Sequence, residues 1–130
     1  MRPMMPILLY CADESLLALI AFALRLHRYD VAATGEAKDA MKLAGGKDTA
    51  LACGVLVHAQ PGDPAGRLIH LLLERGSRIP LLLVDRAGDF ATVRYADVVL
   101  YGRDTKMVHI LAALDTLRRR KRGPKPGKVA

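Results

Sequence analysis

The sequence predicts one doubly wound α/β domain, a five-stranded parallel sheet with helices on both faces. Short, continuously apolar runs alternate with stretches whose apolar residues recur at helical spacing. The apolar runs lack the polar alternation of a half-exposed sheet, so they are buried on both faces, as parallel strands are. A length of 130 residues, 52% of them apolar, suits one domain with one substantial core.

The elements follow in order. Residues 7–10 are the first apolar run, and Ser15 is the expected N-cap of a long apolar helix reaching about His27. Residues 29–33 read as a second strand. Ala37, Ala40, Met41 and Ala44 fall at helical spacing, and Gly45-Gly46 stops that helix. Residues 51–57 are the third strand, with His58 at its tip before a turn rich in Pro and Gly. Residues 66–75 are expected to be helical, with Leu68, Leu71 and Leu72 inward and Gly76 as terminator. Residues 79–84, entered through Pro80, are the fourth strand. A short helical piece at residues 90–95 leads to a fifth strand at residues 98–101. Asp104 is the expected cap of a last helix with Met107, Ile110, Leu111, Leu114 and Leu117 inward. No internal repeat stands out.

Composition narrows the class. The longest unbroken apolar run, residues 16–24, is far short of the roughly 20 residues that cross a bilayer. Residues 1–7 carry one Arg and two Pro and no signal-peptide core, so the expected compartment is the cytoplasm, with no membrane partner. Cys11 and Cys53 have no metal-type spacing and make no disulfide framework.

The net charge of +7 sits at one end. Arg118, Arg119, Arg120, Lys121, Arg122, Lys125 and Lys128 are accompanied by no acid, which leaves thirteen basic against thirteen acidic residues in 1–117. Such a segment, with Gly123, Pro124, Pro126 and Gly127, is polar and self-repelling. The expected organisation is therefore a domain at 1–117 and a disordered basic tail at 118–130.

Several segments resemble the receiver domain of bacterial response regulators. "ILLYCADESLLALIAFALRLHRYDVAATGEAKDAM" is similar to that family's first strand, first helix and second strand. "VLVHAQPGDPAG" resembles its third strand and Pro-Gly loop. "SRIPLLLVD" resembles the Ile-Pro that opens strand four, and "YADVVLYGRD" the Ala-Asp that opens strand five. The resemblance covers residues 7 to about 120. It implies a flavodoxin-like sheet of order 2-1-3-4-5, here with a shortened helix four.

The residues that a receiver uses for chemistry are replaced. The family's acidic pair after strand one falls on Cys11 and Ala12, and its phosphoacceptor Asp on His58, counting back from Gly66. The Thr or Ser after strand four becomes Asp85, and the Lys after strand five becomes Gly102. Phosphoryl transfer to a carboxylate needs a carboxylate nucleophile, a Mg²⁺ held by acids, and a cation for the developing charge. Cys11 and Ala12 cannot hold a hard ion that wants oxygen. Gly102 offers no cation, and Asp85 repels a phosphoryl group. Asp13 and Glu14 could reach inward but restore nothing without the nucleophile. Neither catalytic residues nor a cofactor is expected.

Cys11, His58 and Asp85 are all zinc-ligating residue types, and the implied strand order sets them at neighbouring strand ends, where such folds bind ligands. Without a local spacing they do not make a metal motif. A His58–Asp85 hydrogen bond replacing the lost metal and phosphate charges is the plainer expectation, and no metal is expected. His27, His70 and His109 read as helix-surface residues, and Tyr101 as packing.

Two features point to partners. A receiver buries one face of helix one, here Leu16, Leu19, Ile20, Ala23 and Leu24. Leu17, Ala18, Ala21 and Phe22 are then outward and apolar too, an expected interface for a protein partner or a second copy. The tail motif "KRGPKPG" resembles an AT-hook that lacks its second Arg, and weak nucleic-acid contact through Arg118, Arg119, Arg120, Lys121, Arg122, Lys125 and Lys128 is expected. The expected function is a non-catalytic receiver-like signalling or scaffold module working by phosphorylation-independent protein contacts. The alternative is a nucleic-acid-associated protein in which the fold serves as dimeriser. An enzyme of flavodoxin-like form is disfavoured, because "CADES" after strand one is no Gly-rich phosphate loop.

Overall fold

The computed structural model describes residues 6–45, 51, 53–59, 67–68, 70–71, 79–86, 97–102 and 105–122. Five strands form one parallel sheet: β1 (Pro6–Cys11), β2 (Asp30–Thr34), β3 (Cys53–His58), β4 (Leu81–Asp85) and β5 (Val98–Tyr101), in the order β2-β1-β3-β4-β5. The described helices are α1 (Glu14–Leu26), α2 (Ala37–Gly45) and α3 (Met107–Arg122). Residues 67, 68, 70 and 71 are also helical. The expected short helix at 90–95 and the expected cap Asp104 lie outside the described residues. Among the described residues, no helix is long and apolar enough to cross a membrane.

Strand alternation divides the core in two. Ile7, Leu9 and Cys11 of β1, Val55 and Val57 of β3, and Leu82 and Val84 of β4 point to one side, under Ile20, Ala21 and Leu24 of α1 and Ile110, Leu114 and Leu117 of α3. Leu8, Tyr10, Leu56, Leu81 and Leu83 point to the other, under Ala40 of α2 and Leu68. Both faces are covered, as the continuous apolar runs require. Gly54 leaves room for a side chain of the next strand: a Cβ there would lie 3.0 Å from Leu81 Cδ2.

The polar groups at the strand starts are bonded across the sheet. Leu81 N–H donates to Asp97 Oδ2 at 2.8 Å, and Asp97 N–H donates to the Leu81 carbonyl at 2.9 Å. This reciprocal pair ties the start of β4 to the start of β5.

The ends of α1 are built from local chemistry. Asp13, not Ser15, is the N-cap: its Oδ1 accepts from Leu16 N–H at 3.0 Å. At the other end Tyr29 N–H donates to the Leu24 carbonyl and Arg28 N–H to the Arg25 carbonyl, the two bonds of a Schellman closure. The left-handed position of that closure is held by Arg28, with φ 66°, where glycine is usual. At the start of α3, Lys106 N–H donates to His109 Nδ1 at 3.0 Å, so a side chain in the first turn reaches back to the helix start.

Two expectations are corrected here. The rotation of α1 differs from the one expected: Ala21 is buried and Leu17 is half-buried against the core, whereas Leu19 is 59% exposed. The helix is apolar on nearly every side, so side-chain type left its phase open. Contact of Ile20, Ala21 and Leu24 with the sheet sets it. Second, α3 does not stop at Leu117 but continues to Arg122. Arg and Lys are good helix formers and are favoured at a helix C-terminus, and the first breaker is Gly123-Pro124. Arg118, Arg119, Arg120, Lys121 and Arg122 are therefore helical rather than part of a disordered tail. Lys125 and Lys128 lie outside the described residues.

Candidate functional site

The chain reverses its direction of winding between β1 and β3, so the crevice of this fold lies at the carboxyl ends of those strands. His58 ends β3 and Asp85 ends β4, and the two are register partners. Both follow an apolar residue of the α1 side, Val57 and Val84, and so point together toward the α2 side, on strands about 4.8 Å apart. Asp85 is 0% exposed and His58 3%. Neither is left without a partner. The backbone ladder runs on past them: Arg86 N–H donates to the His58 carbonyl and Gly102 N–H to the Asp85 carbonyl, each at 3.0 Å.

A carboxyl group this deep is costly as an isolated charge, and a side chain able to carry the opposite charge offsets that cost. His58 is such a side chain, set level with Asp85 by the register. The two can support each other; they cannot offer a nucleophilic carboxylate to solvent.

The other predicted positions fall around this pair, but not all of them join it. Cys11 is in register with Val57 and shares its face, so its thiol lies on the side opposite His58 and Asp85. Its Sγ donates to the Asp13 carbonyl at 3.5 Å. Ala12 is exposed and carries no ligating atom. Gly102 follows β5 with φ 97°, a left-handed geometry in which a lysine would be strained. Thr105 Oγ1 donates to the Gly102 carbonyl at 3.0 Å, which closes the turn leading to α3.

These residues do not fit the Mg²⁺ that the receiver resemblance implies. That ion asks for several hard oxygen ligands. Here one position is a thiol on the far face, one is a methyl group, and Asp13 is occupied in capping α1. Zinc fares no better: among the described residues, no group of three or more His, Cys, Asp or Glu is arranged to hold a metal ion.

The predicted interface is redrawn. Of Leu17, Ala18, Ala21 and Phe22, only Ala18 and Phe22 are exposed. The apolar strip that α1 presents is Ala18, Leu19, Phe22 (63% exposed) and Leu26 (65% exposed), one residue per turn with one pair. Leu19 is missed because its neighbours are equally apolar, whereas Leu26, between Arg25 and His27, lies beyond the strip read from the sequence. Asp97, Asp13 and His109 were also not singled out as bonding groups; only the cap preference of Asp before a helical run marks any of them in sequence.

Solved structures resemble the chain over almost its whole length. A response regulator receiver domain protein from Clostridium thermocellum superposes with a TM-score of 0.78 at 13% identity, covering 91% of this chain and 97% of that one. A Francisella response regulator receiver domain gives 0.76 at 14%, covering 90% and 98%. The signal receiver domain of an HD domain-containing protein from Pseudomonas fluorescens gives 0.76 at 15%, covering 95% and 96%. No protein-family model and no curated protein matches the sequence. The chain has the receiver fold.

Proposed function

We propose that the chain is a receiver-type signalling module that accepts no phosphoryl group and works by docking a protein partner on the exposed strip of α1. The observation that carries this reading is the burial of both His58 and Asp85, register partners at the ends of β3 and β4. It stands where the resemblance implies a nucleophile and a hydroxyl, beside a glycine where it implies a cation. A signalling role is supported by the structures of like fold, which are named as receiver domains. A docking role is supported by Leu19, Phe22 and Leu26, large apolar side chains aligned on one exposed helix face. Titration of the ¹⁵N-labelled protein with Mg²⁺ tests the first half. The expected result is no saturable shift at residues 11–13, 58–59, 85–86 and 102. A saturable shift confined to them contradicts it.

A second reading is favoured by one observation. The five consecutive cations Arg118, Arg119, Arg120, Lys121 and Arg122 belong to α3 rather than to a loose tail. A helix end this basic suits a nucleic-acid phosphate backbone, with the domain as its carrier. Salt-dependent binding to duplex DNA tests it.

A further inference from the structure

On the α2 side of the sheet, α2 and the helical residues 67, 68, 70 and 71 border an open groove of about 260 Å³. Each side contributes the same pattern. Ala37, Lys38 and Met41 line it from α2, and Arg67, Leu68 and Leu71 line it from the facing segment, each set at spacing i, i+1, i+4. Leu68 is buried, Ala37 and Met41 are half-buried, and Leu71 is 38% exposed, so the floor is apolar. Lys38 and Arg67 are exposed and stand at the rim. Among the described residues no acid lines the groove.

We propose that this groove binds a small amphiphile with one anionic head, of the class of a medium-chain monocarboxylate. The floor takes the apolar body, and the two cations take the head. The volume corresponds to about nine water-sized groups, which matches a short alkyl or aryl body. The head group follows from charge: two cations line the groove, and among the described residues no acid does, which favours an anion. The guanidinium offers a two-pronged fit to a carboxylate, and the ammonium a point charge. Its lining shares no residue with the strand-end group or with the α1 strip, and the proposal stands whether or not the signalling reading holds.

The test is an NMR titration of the full chain with octanoate, octanol and butyrate, read at the amides of α2 and of residues 67–71. Octanoate is expected to give saturable shifts there. Octanol, with the same body and no charge, is expected to bind at least about fivefold more weakly, and butyrate, with the head and little body, more weakly still. The K38Q/R67Q double variant is expected to reduce octanoate binding to the octanol level. Leu71→Gln is expected to weaken both eight-carbon ligands alike, which separates floor from rim. Both changes lie on exposed side chains, and a thermal melt confirms the fold. Equal binding of octanol and octanoate, undiminished octanoate binding by K38Q/R67Q, or no saturable shift up to about 10 mM octanoate overturns the proposal.

Discussion

His58 and Asp85 lie level with each other at the ends of neighbouring parallel strands, on the same face of the sheet and both buried. Placing an aspartate at position 58 is therefore expected to cost stability. His58→Asp sets two buried carboxyl groups side by side, where both cannot ionise at low cost. A loss of about 2–5 kcal/mol is expected in urea unfolding, the scale for setting a buried polar group against one that does not satisfy it. A variant as stable as the parent at pH 7 would remove the pairing argument.

Asp97→Ala should cost about 1–2 kcal/mol, since it leaves Leu81 N–H without its carboxylate acceptor at a partly buried strand start. Asp97→Asn keeps an acceptor and should recover much of the loss. Urea midpoints at constant m-value decide this. Equal loss in both variants would assign the effect to charge rather than to the bond.

Arg28→Gly should stabilise the protein by about 0.5–1 kcal/mol. The left-handed position costs an L side chain about 1–2 kcal/mol, partly returned through the freer unfolded chain of a glycine. The melting temperature should rise. A fall would mean that the Arg28 side chain makes a compensating contact.

The rotation of α1 separates two sets of substitutions. Phe22→Ser and Leu19→Ser act on exposed side chains and should change stability by less than about 0.5 kcal/mol while weakening any partner or self-association. Ala21→Leu, at a buried position, should cost about 1–3 kcal/mol through overpacking. Sedimentation and thermal unfolding of the three variants check both halves. The opposite pattern would restore the other rotation.

Duplex DNA binding, if carried by the seven C-terminal cations, should show a salt slope no steeper than about −6. Ending the chain after Arg122 keeps five of them and should leave a slope near −4.5. Ending it after Leu117 should abolish binding. Binding that survives this deeper truncation would place the contact on the domain instead.

Much of this architecture was legible in the residues, for reasons particular to each element. The strands could be found because runs such as residues 81–84 are apolar without alternation, which only a doubly covered sheet tolerates. The neighbourhood of His58 and Asp85 followed from strand order. The face of Cys11 did not, because it depends on a register that pairs it with Val57, and register is not written locally. The phase of α1 was hidden for the opposite reason: Leu16, Leu17, Leu19 and Ile20 are all large and apolar, so periodicity distinguishes little. Asp13 and Ser15 are both cap-forming residues, and only backbone geometry chooses between them. The last helix ran past its expected end because Arg and Lys read as a solvated tail by charge and as helix by propensity, and propensity held until Gly123.

The proposal to be tested most directly is that this fold, with His58 and Asp85 buried at its strand ends, accepts no phosphoryl group. The most direct measurement is the intact mass of the full chain after incubation with Mg²⁺ and acetyl phosphate. The account predicts an unchanged mass. A Mg²⁺-dependent gain of one phosphate, lost when His58, Asp85 or Asp13 is replaced, would contradict it.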